Sequence, residues 1–299
     1  MAKTRRTAKR SVAVIGLGIM GGAFARNLAR KGWQVTGYDT DDARRRARRR
    51  AGVAMAADAA AAAAAAPTIV TSLPSPQALH DVVNAVAAAK LPKRIVVETS
   101  TLALEDKLRA HATLAAAGHT LLDCPISGTG AQAKTGDLVV YASGDRAAIR
   151  RVKPLLSDFA KAVHDLGAFG NGSRMKYVAN LLVAIHNVAS AEAMVLGMKA
   201  GLAPRDVLAL ATAGVGSSRI LELRGPLMVR NRYDDPTMKV GIWQKDMAVI
   251  GAYARAIGAP TPLFDATVPV YEDAMTQGHA LHDTASVCAV LERKAGMKR

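Results

Sequence analysis

The chain has 299 residues, half of them hydrophobic, which provides enough apolar material for two domains with their own cores. Cys124 and Cys288 are its two cysteines, and their spacing excludes a disulfide framework and predicts a reducing, cytoplasmic protein without a metal site. The formal net charge is +16, but eleven of the basic residues lie in the acid-free stretches 1–10 and Arg44–Arg50. With 4% aromatic residues, this local basicity does not indicate dedicated nucleic-acid binding. Neither a long uninterrupted apolar run nor a secretory signal pattern is found, so we expect a soluble protein.

From residue 11 to about residue 165, apolar β-like runs alternate with alanine-rich stretches of helical period. This alternation is typical of a doubly wound α/β domain with a parallel sheet. The tract Ala59–Ala66 is bounded by Asp58, a helix-capping residue, and by Pro67, so it predicts a short helix and not a disordered linker. The predicted strands are, in chain order, SVAVIG, WQVTGYD, TIVTSLP, RIVVETS, HTLLDCP and DLVVYASG.

The first predicted strand runs into a glycine-rich turn and then a helix. In this context a G-x-G-x-x-G turn binds the pyrophosphate of a dinucleotide: Gly16 allows the tight turn, Gly18 lets the backbone approach the phosphates, and Gly21 lets the helix pack on the strand. The helix N-terminus adds N–H groups and a positive dipole end. The residues predicted to bind the cofactor here are Gly16, Leu17, Gly18, Ile19, Met20 and Gly21.

Asp39 ends the second predicted strand, eighteen residues after Gly21. A carboxylate at this position accepts hydrogen bonds from the ribose hydroxyls of NAD and repels the 2′-phosphate of NADP. The Arg44–Arg50 cluster keeps NADP as an alternative, because an arginine can bind that phosphate. We favour NAD, since the arginines follow Asp41 and Asp42 and fall within the next helix.

After about residue 172 the pattern is helical to the end of the chain, and Met175–Gly201 reads as one long helix. We therefore predict a basic tail at 1–10, an NAD(P)-binding Rossmann domain at 11–170, and an all-helical substrate and oligomerisation domain at 171–299. The long helix opens this second domain.

Four motifs in order carry a family resemblance. They are GLGIMGGAFARNLARKG, DCPISGTGAQAKTGDL (Asp123–Leu138), GNGSRMKYVAN (Gly170–Asn180) and the Lys245-Asp246 pair in WQKDMAVIGAYA. Together they resemble the β-hydroxyacid dehydrogenases, the family of 3-hydroxyisobutyrate dehydrogenase, over essentially the whole chain from residue 11 onward. The presence of Lys176 argues against the imine-reducing relatives, which usually lack this lysine.

The resemblance implies roles for individual residues. Lys176 is the implied catalytic residue, and Asn180 and the Ser127-Gly128-Thr129 stretch are implied to bind the substrate. Threonine replaces the second glycine of the family's usual SGG, which we expect to change the shape of the pocket. The further implied cofactor contacts are Leu73, Pro74, Thr101 and Lys245.

Lys176 also has a chemical rationale of its own. Oxidising an alcohol needs a base for the hydroxyl proton, and a lysine serves only if its pKa falls towards the working pH. A helix N-terminus and desolvation at a domain junction would both act in that direction. The resemblance adds a second cation, Lys245, on the cofactor side, which would lower the pKa further if it lies close. Asn180, four residues on, projects from the same helical face. The alternative readings are a first-turn lysine whose stem extends to water and an asparagine that stabilises a domain contact.

The sequence thus predicts an oxidoreductase that transfers hydride between NAD and a short β-hydroxy carboxylic acid, or its semialdehyde. One alternative is an NADPH-dependent reductase of glyoxylate or succinic semialdehyde. An alternative of another class is a non-catalytic nucleotide-binding assembly or DNA-associated module, which the two basic stretches alone support. The resemblance also implies a homodimer or homotetramer.

Overall fold

The computed structural model describes residues 10–299. The basic tail predicted at 1–10 lies, apart from Arg10, outside the described residues. The chain divides into two compact units, Met1–Lys176 and Tyr177–Arg299. The division falls inside one long helix.

A six-stranded sheet forms the centre of the first unit, and all of its neighbouring strands pair in parallel. Its strands are β1 (Ser11–Ile15), β2 (Gln34–Tyr38), β3 (Ala54–Met55), β4 (Thr68–Thr71), β5 (Ile95–Glu98) and β6 (Thr120–Asp123). The order β3-β2-β1-β4-β5-β6 reverses direction between β1 and β4, so a crevice opens at the carboxyl ends of these two strands. The predicted doubly wound Rossmann domain is confirmed.

Cores on both faces of this sheet follow from the alternation of side chains along each strand. In β1, Val12 and Val14 belong to one buried cluster, whereas Ala13 and Ile15 belong to the other. The helices of the first unit are α1 (Ile19–Arg30), α2 (Asp42–Arg49), α3 (Ala59–Ala64), α4 (Pro76–Ala88), α5 (Leu104–Ala116), α6 (Gly130–Thr135) and α7 (Arg146–Ser157). The alanine tract is the helix α3, as predicted, and the Asp58 carboxylate accepts a hydrogen bond from Ala61 N at 2.7 Å.

The assignment of DLVVYASG to the parallel sheet is wrong. It forms β8 (Val139–Ala142) in a separate three-stranded sheet, antiparallel to β7 (Ile126–Ser127) and parallel to β9 (Ala162–Asp165). The segment between β7 and β8 holds only the six-residue α6. This is shorter than the crossover that parallel neighbours need, so the chain turns back instead.

The long helix α8 spans Asn171–Lys199, so it begins earlier than the predicted Met175 and ends before Gly201. With a mean hydropathy of 1.6 over its most apolar window, 44% of which is buried, α8 meets the length and composition criterion for a membrane span. It does so without the uninterrupted apolar run that the sequence analysis looked for, because His186, Asn187 and Glu192 interrupt it. Within α8, the buried side chain of Asn187 donates hydrogen bonds to Tyr271 Oη and Thr284 O, both at 2.9 Å. A buried amide with protein partners is typical of a core helix.

The second unit is helical, as predicted. After α8 it contains α9 (Pro204–Ala213), α10 (Arg219–Arg230), α11 (Val240–Ala256), α12 (Pro262–Thr276), a 3-10 turn at Thr284–Ser286 and α13 (Val287–Lys294). The buried Asp283 carboxylate accepts hydrogen bonds from Thr237 N at 2.7 Å and Ala285 N at 2.9 Å, and so joins the segments before α11 and α13.

Candidate active site

The glycine-rich turn has the geometry of a nucleotide cradle. Gly16 has a φ of +88°, and a Cβ on it would lie 2.1 Å from Ser72 O. A Cβ on Gly21 would lie 1.9 Å from Gly16 O, so α1 can pack on β1 only with glycine there. At Gly18, which precedes α1, the nearest atom to an added Cβ is Arg44 Nη1 at 3.8 Å. The turn thus keeps open space in front of the first N–H groups of α1, which fits a pyrophosphate.

Asp39 lies beside this turn in a fixed orientation. It is 6% exposed, and its Oδ2 accepts a hydrogen bond from Leu17 N at 2.7 Å, while Oδ1 accepts from Asp41 N at 2.8 Å. Arg44 Nη1 lies 3.5 Å from Asp39 Oδ2. Arg44 falls within the next helix, as predicted, but the first turn of α2 directs its guanidinium back to Asp39.

The other predicted cofactor residues of the first unit lie at the same edge of the sheet. Leu73 and Pro74 follow β4, and Thr101 follows β5 shortly after its carboxyl end. Leu73 N donates to Ser100 Oγ at 2.8 Å, which ties these two segments together. Residues predicted from four separate stretches are thus gathered at the carboxyl ends of β1, β2, β4 and β5.

Threonine in the Ser127-Gly128-Thr129 stretch has a local structural role. Gly128 has a φ of +134°, which favours glycine, and Thr129 is the N-cap of α6. Thr129 N donates to Gln132 Oε1 at 2.9 Å, and Gln132 N donates to Thr129 Oγ1 at 3.4 Å. This is a capping box, which the T-x-x-Q spacing signals. The threonine that departs from the usual SGG therefore stabilises the start of α6.

Lys176 and Asn180 lie one turn apart on α8, and both are largely buried, at 9% and 4% exposure. In the second unit, Asn180 Nδ2 donates to Asp246 Oδ2 at 2.9 Å, and Lys245 Nζ lies 3.1 Å from Asp246 Oδ1. Asp246 thus orients two predicted site residues, a role that the sequence analysis missed although the Lys245-Asp246 pair was the signal. The predicted approach of Lys245 to Lys176 stays a prediction.

Within residues 10–299, no cluster of three or more His, Cys, Asp and Glu side chains is placed to hold a metal ion. Both cysteines are free and buried. Burial, reinforced by Glu292, raises the pKa of the Cys288 thiol to about 12, so this cysteine is not a thiolate nucleophile at neutral pH.

Comparison with known proteins identifies the family. Residues 11–167 match the sequence model of the NAD binding domain of 6-phosphogluconate dehydrogenase, and residues 170–291 match that described as NAD-binding of NADP-dependent 3-hydroxyisobutyrate dehydrogenase. L-threonate dehydrogenase of Cupriavidus necator is 31% identical over 94% of this chain and 96% of its own length. The chain belongs to the β-hydroxyacid dehydrogenase family. The predicted resemblance is confirmed.

Two mycobacterial comparisons agree with this. The probable 3-hydroxyisobutyrate dehydrogenase of Mycobacterium tuberculosis is 28% identical over 95% of this chain and 99% of its own length. A structure of Mycobacterium tuberculosis 3-hydroxyisobutyrate dehydrogenase with L-serine superposes with a TM-score of 0.87, at 27% identity, over 95% of this chain and 99% of that one. As a β-hydroxyacid dehydrogenase, the protein is an NAD(P)-dependent oxidoreductase that acts on hydroxy acids.

Proposed function

We propose that the protein transfers hydride between NAD(P) and a short β-hydroxy carboxylic acid or its semialdehyde, with Lys176 as the acid–base group. The observation that carries this is a buried lysine and a buried, oriented amide one turn apart on α8. L-threonate, 3-hydroxyisobutyrate and L-serine, named in the relatives, all combine a carboxylate with a hydroxyl on the β carbon.

Each protein group has one task in this reaction. When bound, the nicotinamide supplies the hydride acceptor or donor. Lys176 Nζ takes the proton of the substrate hydroxyl during oxidation and returns it during reduction. The Ser127 hydroxyl and the backbone near Gly128 bind the carboxylate. Because Asp246 fixes the Asn180 amide, Asn180 orients the substrate without adding charge.

The test is turnover by the wild-type protein, followed by nicotinamide absorbance with NAD and with NADP. The substrates are 3-hydroxyisobutyrate, L-threonate, L-serine and the carbonyl compounds that their oxidation would give, with lactate as the α-hydroxy control. We expect turnover with at least one β-hydroxy acid and little with lactate. Cofactor binding without turnover on any of them would contradict the proposal and favour the non-catalytic alternative.

The cofactor preference depends on two opposing side chains. The Asp39 carboxylate supports NAD, because it matches a ribose diol and repels a 2′-phosphate. Arg44, 3.5 Å from it, supports the alternative of an NADPH-dependent reductase of glyoxylate or succinic semialdehyde, since it partly neutralises that repulsion. We infer NAD preference with measurable use of NADP.

Asp39→Asn is expected to lower kcat/KM for NAD about tenfold, because a charge-assisted hydrogen bond to the ribose is replaced by a neutral one. Arg44→Ala is expected to abolish the NADP reaction and to leave the NAD reaction nearly unchanged. Both are measured as kcat/KM for each cofactor. Arg49→Ala, an exposed arginine on the same helix, is the control. A neutral Asp39→Asn would refute the ribose assignment.

We also propose a homo-oligomer in the cytoplasm. Every residue of α9 is at least partly exposed, and Leu196 and Leu210 are 73% and 75% exposed, which supports an apolar surface covered by another copy. Two buried free thiols support a reducing compartment. Sedimentation at the 31.3 kDa monomer mass would contradict the oligomer.

A further inference from the structure

Three charged side chains are fully buried at the carboxyl edge of the parallel sheet, outside the predicted site residues. Lys107 of α5 lies between Glu98, the last residue of β5, and Asp123, the last residue of β6. Its Nζ is 2.7 Å from Glu98 Oε2 and 2.8 Å from Asp123 Oδ1, and all three side chains have 0% exposure. We call this group the buried triad.

Asp123 also binds the start of α8. Its Oδ2 accepts a hydrogen bond from Ser173 N at 2.7 Å, and its Oδ1 accepts one from Ser173 Oγ at 2.8 Å. One residue earlier, Gly172 N donates to Ser143 Oγ at 2.9 Å, and that hydroxyl donates in turn to Asp123 O at 3.1 Å. Two N–H groups of the first helical turn, which have no partner within a helix, are satisfied in this way.

The start of α8 also packs closely against the backbone of two strands. A Cβ on Gly172 would lie 2.4 Å from Tyr141 O and 2.7 Å from Asp123 O. The first turn of α8 therefore rests directly on the backbone of β6 and β8. Glycine is required at this point for the close approach, and not for an unusual backbone angle.

We propose that Asp123, held by Lys107 and Glu98, is a positioning residue for Lys176. Ser173 is three residues before Lys176, which is nearly one helical turn. The contacts that fix Ser173 therefore also fix where Lys176 lies around and along the axis of α8. A catalytic group displaced by about 1 Å can lose on the order of a hundredfold in rate. This inference rests on the proposed function, because it assigns Lys176 the proton transfer.

Charged side chains can do at this position what apolar side chains cannot. Buried ion pairs seldom stabilise a fold more than apolar side chains would, but they impose directional contacts. The triad holds two carboxylates and one ammonium, and the positive end of the α8 dipole offsets the excess negative charge. A carboxylate with two oxygens can accept from Lys107 and from both donors of Ser173 at once, which no apolar residue can do.

The test compares Ser173→Ala and Asp123→Asn with two helix-capping controls elsewhere, Ser218→Ala and Asp145→Asn. Ser218 and Asp145 cap α10 and α7. Amide hydrogen exchange by mass spectrometry reports on residues 171–180, and steady-state kinetics are normalised to the number of NADH-binding sites. The first readout needs no substrate.

We expect both network variants to raise exchange at the start of α8 at least about tenfold, with the controls unchanged there. The kcat per NADH site should fall about tenfold in Ser173→Ala and about a hundredfold in Asp123→Asn. KM and NADH affinity should stay within about twofold, since both side chains are buried and bonded to each other. A purely structural role would lower the melting temperature without changing kcat per site.

Two results would overturn the inference: unchanged exchange at residues 171–180, or increased exchange with unchanged kcat per site. If the wild-type protein turns over none of the tested hydroxy acids, the proposed function fails. In that case the position of Lys176 is followed by its rate of acylation with an amine-reactive reagent, measured by mass spectrometry, instead of by kcat. An acylation rate equal in wild type and variants would refute the positioning role.

Discussion

Replacing Lys176 by alanine is expected to lower kcat by about 10²–10⁴-fold while the affinity for NAD changes by no more than a few-fold. The alanine variant cannot exchange a proton with the substrate hydroxyl. The glycine-rich turn and Asp39, which are predicted to hold the cofactor, lie on other elements of the first unit and stay intact. The measurement pairs steady-state turnover with NADH fluorescence titration.

Two further variants make this result specific. Lys176→Arg keeps a positive charge but cannot give up its proton near neutral pH, so it should be nearly as inactive as alanine. Lys199→Ala removes an exposed lysine at the other end of the same 29-residue helix and should keep wild-type kcat. Full activity in Lys176→Ala would eliminate the acid–base assignment and leave the reading of an ordinary first-turn lysine.

Most of the first unit could be predicted because its signals are local. The turn from Gly16 to Gly21 needs glycine for contacts within a short stretch, such as the one between Gly21 and Gly16 O. The cap of α3 by Asp58 likewise involves residues three apart. The separate sheet was missed because the sequence of β8 has the same apolar pattern as a parallel strand. What decides its direction is the length of the segment before it.

The candidate site was predicted residue by residue, but the groups that orient it were not. Asp246 binds Asn180 from 66 positions away, and Asp123 binds Ser173 from 50 positions away. Asp123 lies within a motif and Lys107 within an ordinary amphipathic helix. Neither residue type nor sequence spacing indicates that the two side chains meet. Only the folded backbone brings these side chains together. From the sequence alone, Lys107 therefore looks like a surface lysine near the start of a helix.

Lys107→Met is expected to destabilise the first unit strongly. Burial opposes the charge of this ammonium, but Asp123 and Glu98 outweigh that effect and hold its pKa above the usual lysine value. Because the folded pKa is raised, this stabilisation is fully present below the unfolded pKa of about 10.4 and is lost only above it, at strongly alkaline pH. The triad is thus intact across the physiological range.

Removing the ammonium leaves two buried carboxylates without their cation, so the free energy of unfolding should fall by about 3–5 kcal/mol. The melting temperature should fall by roughly 10 °C or more, as measured by circular dichroism. Lys161→Met, which breaks the exposed ion pair with Asp137, is the matched control and should change stability by less than about 1 kcal/mol.

The double variant Lys107→Met/Glu98→Gln separates lost charge balance from lost packing. It removes one of the two carboxylates while Oε1 can still accept from Ser100 N, so it should recover part of the deficit of Lys107→Met. The deficit of the single variant should also shrink as the pH is lowered towards about 5, because an unpaired buried carboxyl is relieved by taking up a proton. If Lys107→Met melts like Lys161→Met at every pH, the three charges are not coupled. Lys107 would then have no part in holding Asp123 against the start of α8.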